Sequence, residues 1–341
     1  MTHVSPLESI ARALVAPGKG ILAIDETIPT CTKRFAEFGI ESTPESRRAF
    51  RELLMTTPGI SDYISGVILF DETFRQTASD GRTITAVLRD GGIIPGIKVD
   101  TGAKPLAGAP GESVTEGLDG LRDRLAAYRD MGAGFTKWRA VIRIGPGLPS
   151  RRCIAANAHA LGRYAALAQE AGLVPIVEPE VLMNGDHDIH RCREVTEDVL
   201  RAVFSELALM GVLLEGVVLK PNMVTPGSDA AEGASAEEIA EFTLGALRRC
   251  VPPAVPGIAF LSGGQTGEES CENLSHIAAR DDLPWQLSFS FGRALQYPAL
   301  GIWGGSPDNV PAAQSAFVHR ARMSSLARSG VYSRDAEHAL I

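Results

Sequence analysis

The chain has 341 residues, 45% of them hydrophobic and 22% charged, which is enough apolar material for a sizeable core and too much for a disordered or fibrous protein. Its formal charge is −8, from 33 Lys and Arg against 41 Asp and Glu, so it lacks the basic excess that general nucleic-acid or membrane-surface binding leaves. The 35 glycines and 21 prolines are scattered between apolar runs and form no low-complexity tract.

Met1 to Ala16 combines Glu8 and Arg12 with apolar residues at helical spacing, which predicts a helix and not a signal peptide. Short apolar, often β-branched runs then alternate with stretches of helical periodicity. Strands are expected at Ile21 to Asp25, Gly66 to Phe70 and Gly96 to Asp100, with a helix at Glu45 to Met55 between the first two. A helix over Gly117 to Met131 precedes a strand at Phe135 to Ile144, and a helix over Ile154 to Ala171 precedes one at Val174 to Glu178. The pattern continues with a helix at Glu194 to Met210, a strand at Gly216 to Lys220, a helix at Ala236 to Arg249 and a strand at Ile258 to Ser262. A helix at Glu268 to Ala279, a strand at Gln286 to Phe291, and a C-terminal helix and tail from about residue 308 to 341 complete the chain. Ser235-Ala236-Glu237-Glu238 has the form of a capping box, and Gly172 and Gly211 stand where helices need a left-handed stop.

Eight strand–helix units predict an α/β protein: one (β/α)8 TIM barrel over residues 1–341, with strands from about 21 to 291, an N-terminal helix and a C-terminal tail. The alternative is an open doubly wound sheet. Its dinucleotide fingerprint is missing, because Gly145-Pro146-Gly147-Leu148 has a proline and no third glycine. The five cysteines are widely spaced and form no C-x-x-C pair, which fits a reducing, cytoplasmic location better than a disulfide framework. Every apolar run is too short to span a bilayer.

The strands end in charge. Alternation puts Lys98 with Asp100, Lys137 with Arg139, and Glu178 with Glu180 on common faces, while Asp25 and Lys220 close two further strands. One such residue is ordinary loop solvation; five strands repeating it at their C-terminal ends describe the catalytic face of a barrel. Three lysines among these charges suggest imine chemistry, since a desolvated lysine beside other cations has a lowered pKa and attacks carbonyls as the neutral amine. Glu178, Glu180 and Asp25 are available as acids and bases. Which lysine reacts is open at this level. Leu261-Ser262-Gly263-Gly264-Gln265 and Ser290-Phe291-Gly292-Arg293 follow the last two strands, where barrels often bind phosphate. His187 and His190 could share a helix face as metal ligands, but no zinc pattern completes the set, and a solvated loop or helix start is the expectation.

Together these segments resemble the class I fructose-bisphosphate aldolases from about Leu22 to about Leu326. The resemblance is carried by Leu22-Ala23-Ile24-Asp25-Glu26, Gly96-Ile97-Lys98-Val99-Asp100, Lys137-Trp138-Arg139, Val177-Glu178-Pro179-Glu180, Gly185-Asp186-His187-Asp188, Leu219-Lys220-Pro221-Asn222-Met223-Val224-Thr225-Pro226-Gly227, Leu261-Ser262-Gly263-Gly264-Gln265 and Gly292-Arg293-Ala294-Leu295-Gln296. It implies reversible cleavage of fructose 1,6-bisphosphate to dihydroxyacetone phosphate and glyceraldehyde 3-phosphate, with no metal or other cofactor. It also implies a role in glycolysis and gluconeogenesis, a phosphorylated sugar as the partner, and a homotetramer. By position, the resemblance makes Lys220 the Schiff-base lysine, Glu178 its acid/base, and Asp25 the carboxylate that works on the C4 hydroxyl. Lys137 and Arg139 match the cations that tune the site and hold substrate; Ser262, Gly263, Gly264, Ser290, Gly292 and Arg293 match the dihydroxyacetone-side phosphate site, with Arg34 and Lys98 as further contacts.

Three departures accompany the resemblance. Thr27-Ile28-Pro29-Thr30-Cys31 stands where animal members have a serine- and glycine-containing loop, and Phe291 stands where a tyrosine is common. The chain ends at Ile341 without the terminal tyrosine that folds over the site in animal members; its last tyrosine is Tyr332. The same lysine chemistry would also serve sedoheptulose bisphosphate or fructose 1-phosphate. A barrel that kept only binding would be expected to have lost some of these charged residues.

Overall fold

The computed structural model describes residues 5–280 and 282–338. Eight parallel strands close into a barrel: β1 Gly20–Ile24, β2 Ile64–Leu69, β3 Ile94–Lys98, β4 Phe135–Ile142, β5 Val174–Val181, β6 Val218–Leu219, β7 Gly257–Phe260 and β8 Gln286–Phe291. Neighbours in sequence are neighbours in space, and β1 closes the ring by pairing Ile21 with Ser290 and Leu22 with Phe291 of β8. All eight expected strands are present, and the closed ring excludes the doubly wound alternative.

The six expected helices form as well, among them Pro44–Met55, Arg151–Glu170, Ile189–Leu209 and Ala236–Cys250. Their ends follow the sequence signals. Ser235 and Glu238 make the reciprocal capping box, and Gly172 and Gly211 adopt φ values of +77° and +67°, a region where a Cβ is costly. The long helix Val310–Arg328 and the short helix Arg334–His338 lie in the expected C-terminal segment; its last residues, 339–341, lie outside the described residues.

Two cores result. The larger lies between strands and helices, where Trp138 stacks on Tyr164 with ring centroids 5.5 Å apart. The smaller fills the lower barrel with Ile21, Ala23, Ile68, Phe135, Val174, Ile176, Val218 and Ala259, and helix Pro6–Leu14 plugs it from below with Ala11 and Leu14. Gly96 makes room for Phe135, since a Cβ there would lie 2.2 Å from the ring. With apolar residues filling the bottom, the inward positions of the upper barrel are left to the charged strand ends.

Helices Ile28–Ala36, Ile84–Asp90 and Arg293–Trp303 add to those expected, and so does a hairpin. After β3, Gly102–Pro105 and Ser113–Glu116 pair as an antiparallel hairpin beside the barrel mouth. Its strands are four residues each and largely polar, so no clean alternation announces them.

Candidate active site

The charged strand ends converge on one cavity of about 320 Å³ at the C-terminal mouth of the barrel. Its wall carries six cationic side chains, Arg34, Lys98, Lys137, Arg139, Lys220 and Arg293, and five carboxylates, Asp25, Glu26, Asp100, Glu178 and Glu180. A chain with a net charge of −8 therefore presents a locally cationic pocket.

At its floor, charges alternate in a row. Lys137 Nζ lies 2.6 Å from Asp25 Oδ2 and 3.1 Å from Glu178 Oε2, and Lys220 Nζ lies 3.2 Å from Glu178 Oε1. Both lysine side chains and that of Glu178 are at most 4% exposed. Glu178 Oε2 is buried without an aligned hydrogen bond, so it meets Lys137 as an ion pair and keeps lone pairs open to a proton.

These neighbours set the charge states. Burial would raise the Asp25 carboxyl, but the Lys137 and Lys220 charges and the Lys137 hydrogen bond overcome it and hold the pKa at about 2. Glu178 behaves likewise: burial opposes ionisation, and Lys137 and Lys220 outweigh burial and lower its pKa. These neighbours also bear on which lysine the sequence left open as the amine. Interleaved carboxylates separate the cations, and although burial disfavours its charge, Asp25 and Glu178 raise the pKa of Lys137. Lys137 is thus a held ammonium, not a neutral amine.

The upper wall adds a second set. Asp100 accepts from Lys98 Nζ and from the Gly102 and Arg139 amides, fixing Lys98 at the end of β3. Glu180 accepts from Arg139 Nε, which places this carboxylate beside Arg139 and 3.8 Å from the position a Gly263 Cβ would take. The anion-binding features complete the lining. Gly292 precedes helix Arg293–Trp303 with no side-chain cap, so the positive end of the helix dipole opens toward the cavity. Ser262 and Gly263 line the same cavity, and Ser290 Oγ is buried there with no hydrogen-bond partner among the described residues. An unpartnered buried hydroxyl in a cavity wall is what a ligand oxygen would satisfy.

Two sequence expectations shift. Gly264 faces an adjoining cavity with Gln265, Thr266 and Arg320 and does not line the central one. His187 is 8% exposed in the loop before helix Ile189–Leu209, so it is buried where solvation was expected. His190 does stand at that helix start, with its ring edge-on to Phe242 at 4.9 Å. Among the described residues, no group of three or more His, Cys, Asp or Glu is placed to hold a metal ion.

The model of the glycolytic family "fructose-bisphosphate aldolase class-I" matches residues 6–340. The chain belongs to the class I fructose-bisphosphate aldolase family. A probable class 1 fructose-bisphosphate aldolase of Xanthomonas campestris pv. campestris is 57% identical over 328 residues, covering 96% of this chain and 98% of the relative. The cytosolic fructose-bisphosphate aldolase 6 of Arabidopsis thaliana is 53% identical over 97% of this chain and 93% of its own length. Among solved structures, fructose-bisphosphate aldolase from Plasmodium falciparum, in a ternary complex with TRAP and a small-molecule inhibitor, superposes with a TM-score of 0.95 at 45% identity, covering 96% of this chain and 95% of that one. Family membership makes the protein a lyase of glycolysis.

Sequence reasoning left two residues of this aldolase site without a role. Asp100 was placed on a common face with Lys98 by the i, i+2 alternation but given no task; it is the acceptor that holds Lys98 Nζ. Glu26 lies beside Asp25 in the same motif; it binds Arg34 and accepts a 2.7 Å hydrogen bond from Gln296 Nε2. Gln296 lies 270 residues away in sequence, so no local pattern connects the two. Among the described residues, no helix is long and apolar enough to cross a membrane.

Proposed function

We propose that this enzyme reversibly cleaves fructose 1,6-bisphosphate to dihydroxyacetone phosphate and glyceraldehyde 3-phosphate through a Schiff base on Lys220. The observation that carries the reading is the buried row Asp25, Lys137, Glu178, Lys220, which contains a nucleophile, an acid/base and a second base in contact order.

Lys220 gives a proton to Glu178 Oε1, 3.2 Å away, and attacks the C2 carbonyl carbon as the neutral amine. The protonated Glu178 then protonates the carbinolamine hydroxyl, which leaves as water and gives a protonated imine. Asp25, already ionised, takes the C4 hydroxyl proton. The C3–C4 bonding electrons flow into the imine to form an enamine while C4 becomes the aldehyde of the first product. Protonation at C3 and hydrolysis return dihydroxyacetone phosphate and the free lysine. Lys137 stays charged between the two carboxylates and keeps both oriented.

Ser262, Gly263, Ser290, Gly292 and Arg293 would hold the phosphate of the dihydroxyacetone half, where a helix N-terminus, an unpartnered hydroxyl and a cation meet. Arg34, which lines the cavity with Thr27 and Thr30, would take the second phosphate, and Lys98 and Arg139 the sugar hydroxyls. We place the enzyme in the cytoplasm, which its five free cysteines fit, and by family infer a homotetramer, for which sedimentation velocity is the test.

The deciding experiment is borohydride reduction with dihydroxyacetone phosphate in the presence of EDTA, followed by peptide mass mapping and a parallel cleavage assay. A substrate-dependent adduct on Lys220 with EDTA-resistant cleavage is expected, and Lys220→Ala should lose both. Retained cleavage by that variant would overturn the assignment.

A further inference from the structure

Arg34 is held on two sides. Its guanidinium pairs with Glu26 on one edge, and its Cζ stands 5.8 Å from the centroid of the Tyr297 ring, within range of a cation–π contact. Tyr297 belongs to helix Arg293–Trp303, one turn after Arg293, so the helix that points its uncapped N-terminus and Arg293 into the cavity also carries the ring beneath Arg34.

The ring is braced from behind. Phe38 meets it edge-to-face, with centroids 5.8 Å apart and planes at 88°. Phe38 in turn rests on Gly301, where a Cβ would come within 3.0 Å of its ring. A stack of Phe38, Tyr297 and Arg34 therefore ties the end of helix Ile28–Ala36 to helix Arg293–Trp303 beside the cavity that Arg34 lines.

The two supports of Arg34 differ in what they consume. Glu26 occupies N–H donors that an incoming phosphate would need; an aromatic face attracts the cation without using any of them. Glu26 also has other partners, since Gln296 Nε2 donates to its carboxylate over 2.7 Å and Arg51 Nη2 pairs with it ionically at 3.9 Å. It can release Arg34 without being left unpaired.

We propose that Tyr297 is a positioning residue for the second phosphate: its ring keeps the Arg34 guanidinium over the cavity with its donors free, and so biases the enzyme toward bisphosphate over monophosphate sugars. This rests on the reading that Arg34 takes the second phosphate. Losing a cation–π support of ordinary strength corresponds to a change of about three- to tenfold.

The test compares kcat/KM for fructose 1,6-bisphosphate with that for fructose 1-phosphate in the wild type, Tyr297→Ala, Tyr297→Phe, Arg34→Ala and the Tyr297→Ala/Arg34→Ala double variant. Tyr297→Ala should lower the bisphosphate-to-monophosphate ratio about three- to tenfold through KM, and Tyr297→Phe, which keeps the ring, should restore it. Arg34→Ala should lower the ratio further, and adding Tyr297→Ala to it should change nothing more. An unchanged ratio in Tyr297→Ala alongside a lowered one in Arg34→Ala overturns the Tyr297 proposal and leaves the Arg34 reading standing. An unchanged ratio in Arg34→Ala overturns both. If Tyr297→Ala folds poorly, Tyr297→Leu, which keeps bulk without the π face, takes its place with the same expected loss.

Discussion

Replacing Asp25 with Asn should separate the two halves of the reaction. Asp25 is ionised at all working pH values because Lys137 and Lys220 hold its pKa at about 2, and in the proposed mechanism it acts only when the C3–C4 bond breaks. Asparagine keeps the size and an acceptor oxygen for Lys137 but cannot take the C4 proton. Loss of a positioned general base costs about 10²–10⁴ in rate, so kcat for cleavage should fall by that factor. Imine formation uses Lys220 and Glu178, and the borohydride adduct on Lys220 should persist. Rapid-quench cleavage assays and mass mapping of the reduced adduct read the two steps separately. If trapping falls in the same proportion as cleavage, Asp25 acts before bond breaking and the assignment of roles along the row is wrong.

The same substitution carries a stability prediction with a fixed sign. A carboxyl whose pKa drops from 3.8 to about 2 on folding contributes about 2 kcal/mol of stability. This is far below the gross attraction of about 6 kcal/mol for charges 2.6 Å apart at an effective dielectric near 20, because desolvation of the buried pair consumes most of it. Because the folded pKa is the lower one, the contribution is complete above the unfolded pKa and is lost as pH falls from about 4 toward 2. Urea unfolding should therefore show Asp25→Asn less stable than the wild type by about 2 kcal/mol at pH 6, with the gap closing below pH 4. A gap that stays constant with pH would mean that Asn disrupts packing instead of removing a linked charge.

Other variants test other links. Glu178→Gln leaves Lys220 without its nearest proton acceptor, so trapping and cleavage should fall together by about 10²–10⁴, in contrast to Asp25→Asn; intact trapping would assign the dehydration acid elsewhere. Gly96→Ala would push a methyl into Phe135 and should destabilise by about 1–3 kcal/mol, with Phe135→Leu in the same chain recovering part of the loss in urea denaturation. Arg328 is buried at the opposite end of the barrel, donates to the Val15, Ala16 and Lys19 carbonyls, and has its pKa lowered to about 10 by burial. Arg328→Met removes the Arg328 donor from the Val15 carbonyl, while those of Ala16 and Lys19 keep the Lys19 amide and Ser288 Oγ, and should cost about 1–3 kcal/mol while leaving KM unchanged, as thermal unfolding and steady-state kinetics would report.

The barrel was legible because its strands obey local rules: each is a short apolar run, and a parallel strand covered by helices needs little else. The site was legible for a related reason, since charge at the C-terminal end of a buried strand has few structural uses, and Asp25, Lys98, Lys137, Glu178 and Lys220 all stand there. What escaped notice depended on partners distant in sequence. Lys137 looked like one of several cations depressing one another's pKa, because the sequence shows strand ends but not that Asp25 and Glu178 would flank it across the barrel. Gly264 looked equivalent to Gly263, yet its φ of +90° follows one of +36°, and the chain turns it away into the neighbouring cavity. The Gly102–Pro105 hairpin was missed because its residues are exposed and short of apolar alternation.

The alternation of charge along the floor bears on how such a site can be both stable and reactive. Buried charges would be prohibitive singly, but each carboxylate here touches a lysine on at least one side, so the row folds as two matched pairs. A pocket that activated its lysine by cation crowding would have to meet the full burial cost of unlike-charge deficit in the resting state. This arrangement instead keeps Lys220 3.2 Å from Glu178, and in the proposed mechanism the nucleophile is generated by proton transfer across that gap without net change in the buried charge. The proton so stored on Glu178 is the one the carbinolamine then requires. In the same proposed sequence Lys137, flanked by carboxylates on both sides, holds Asp25 ionised while Glu178 carries the proton, so that the two bases would serve different steps by position.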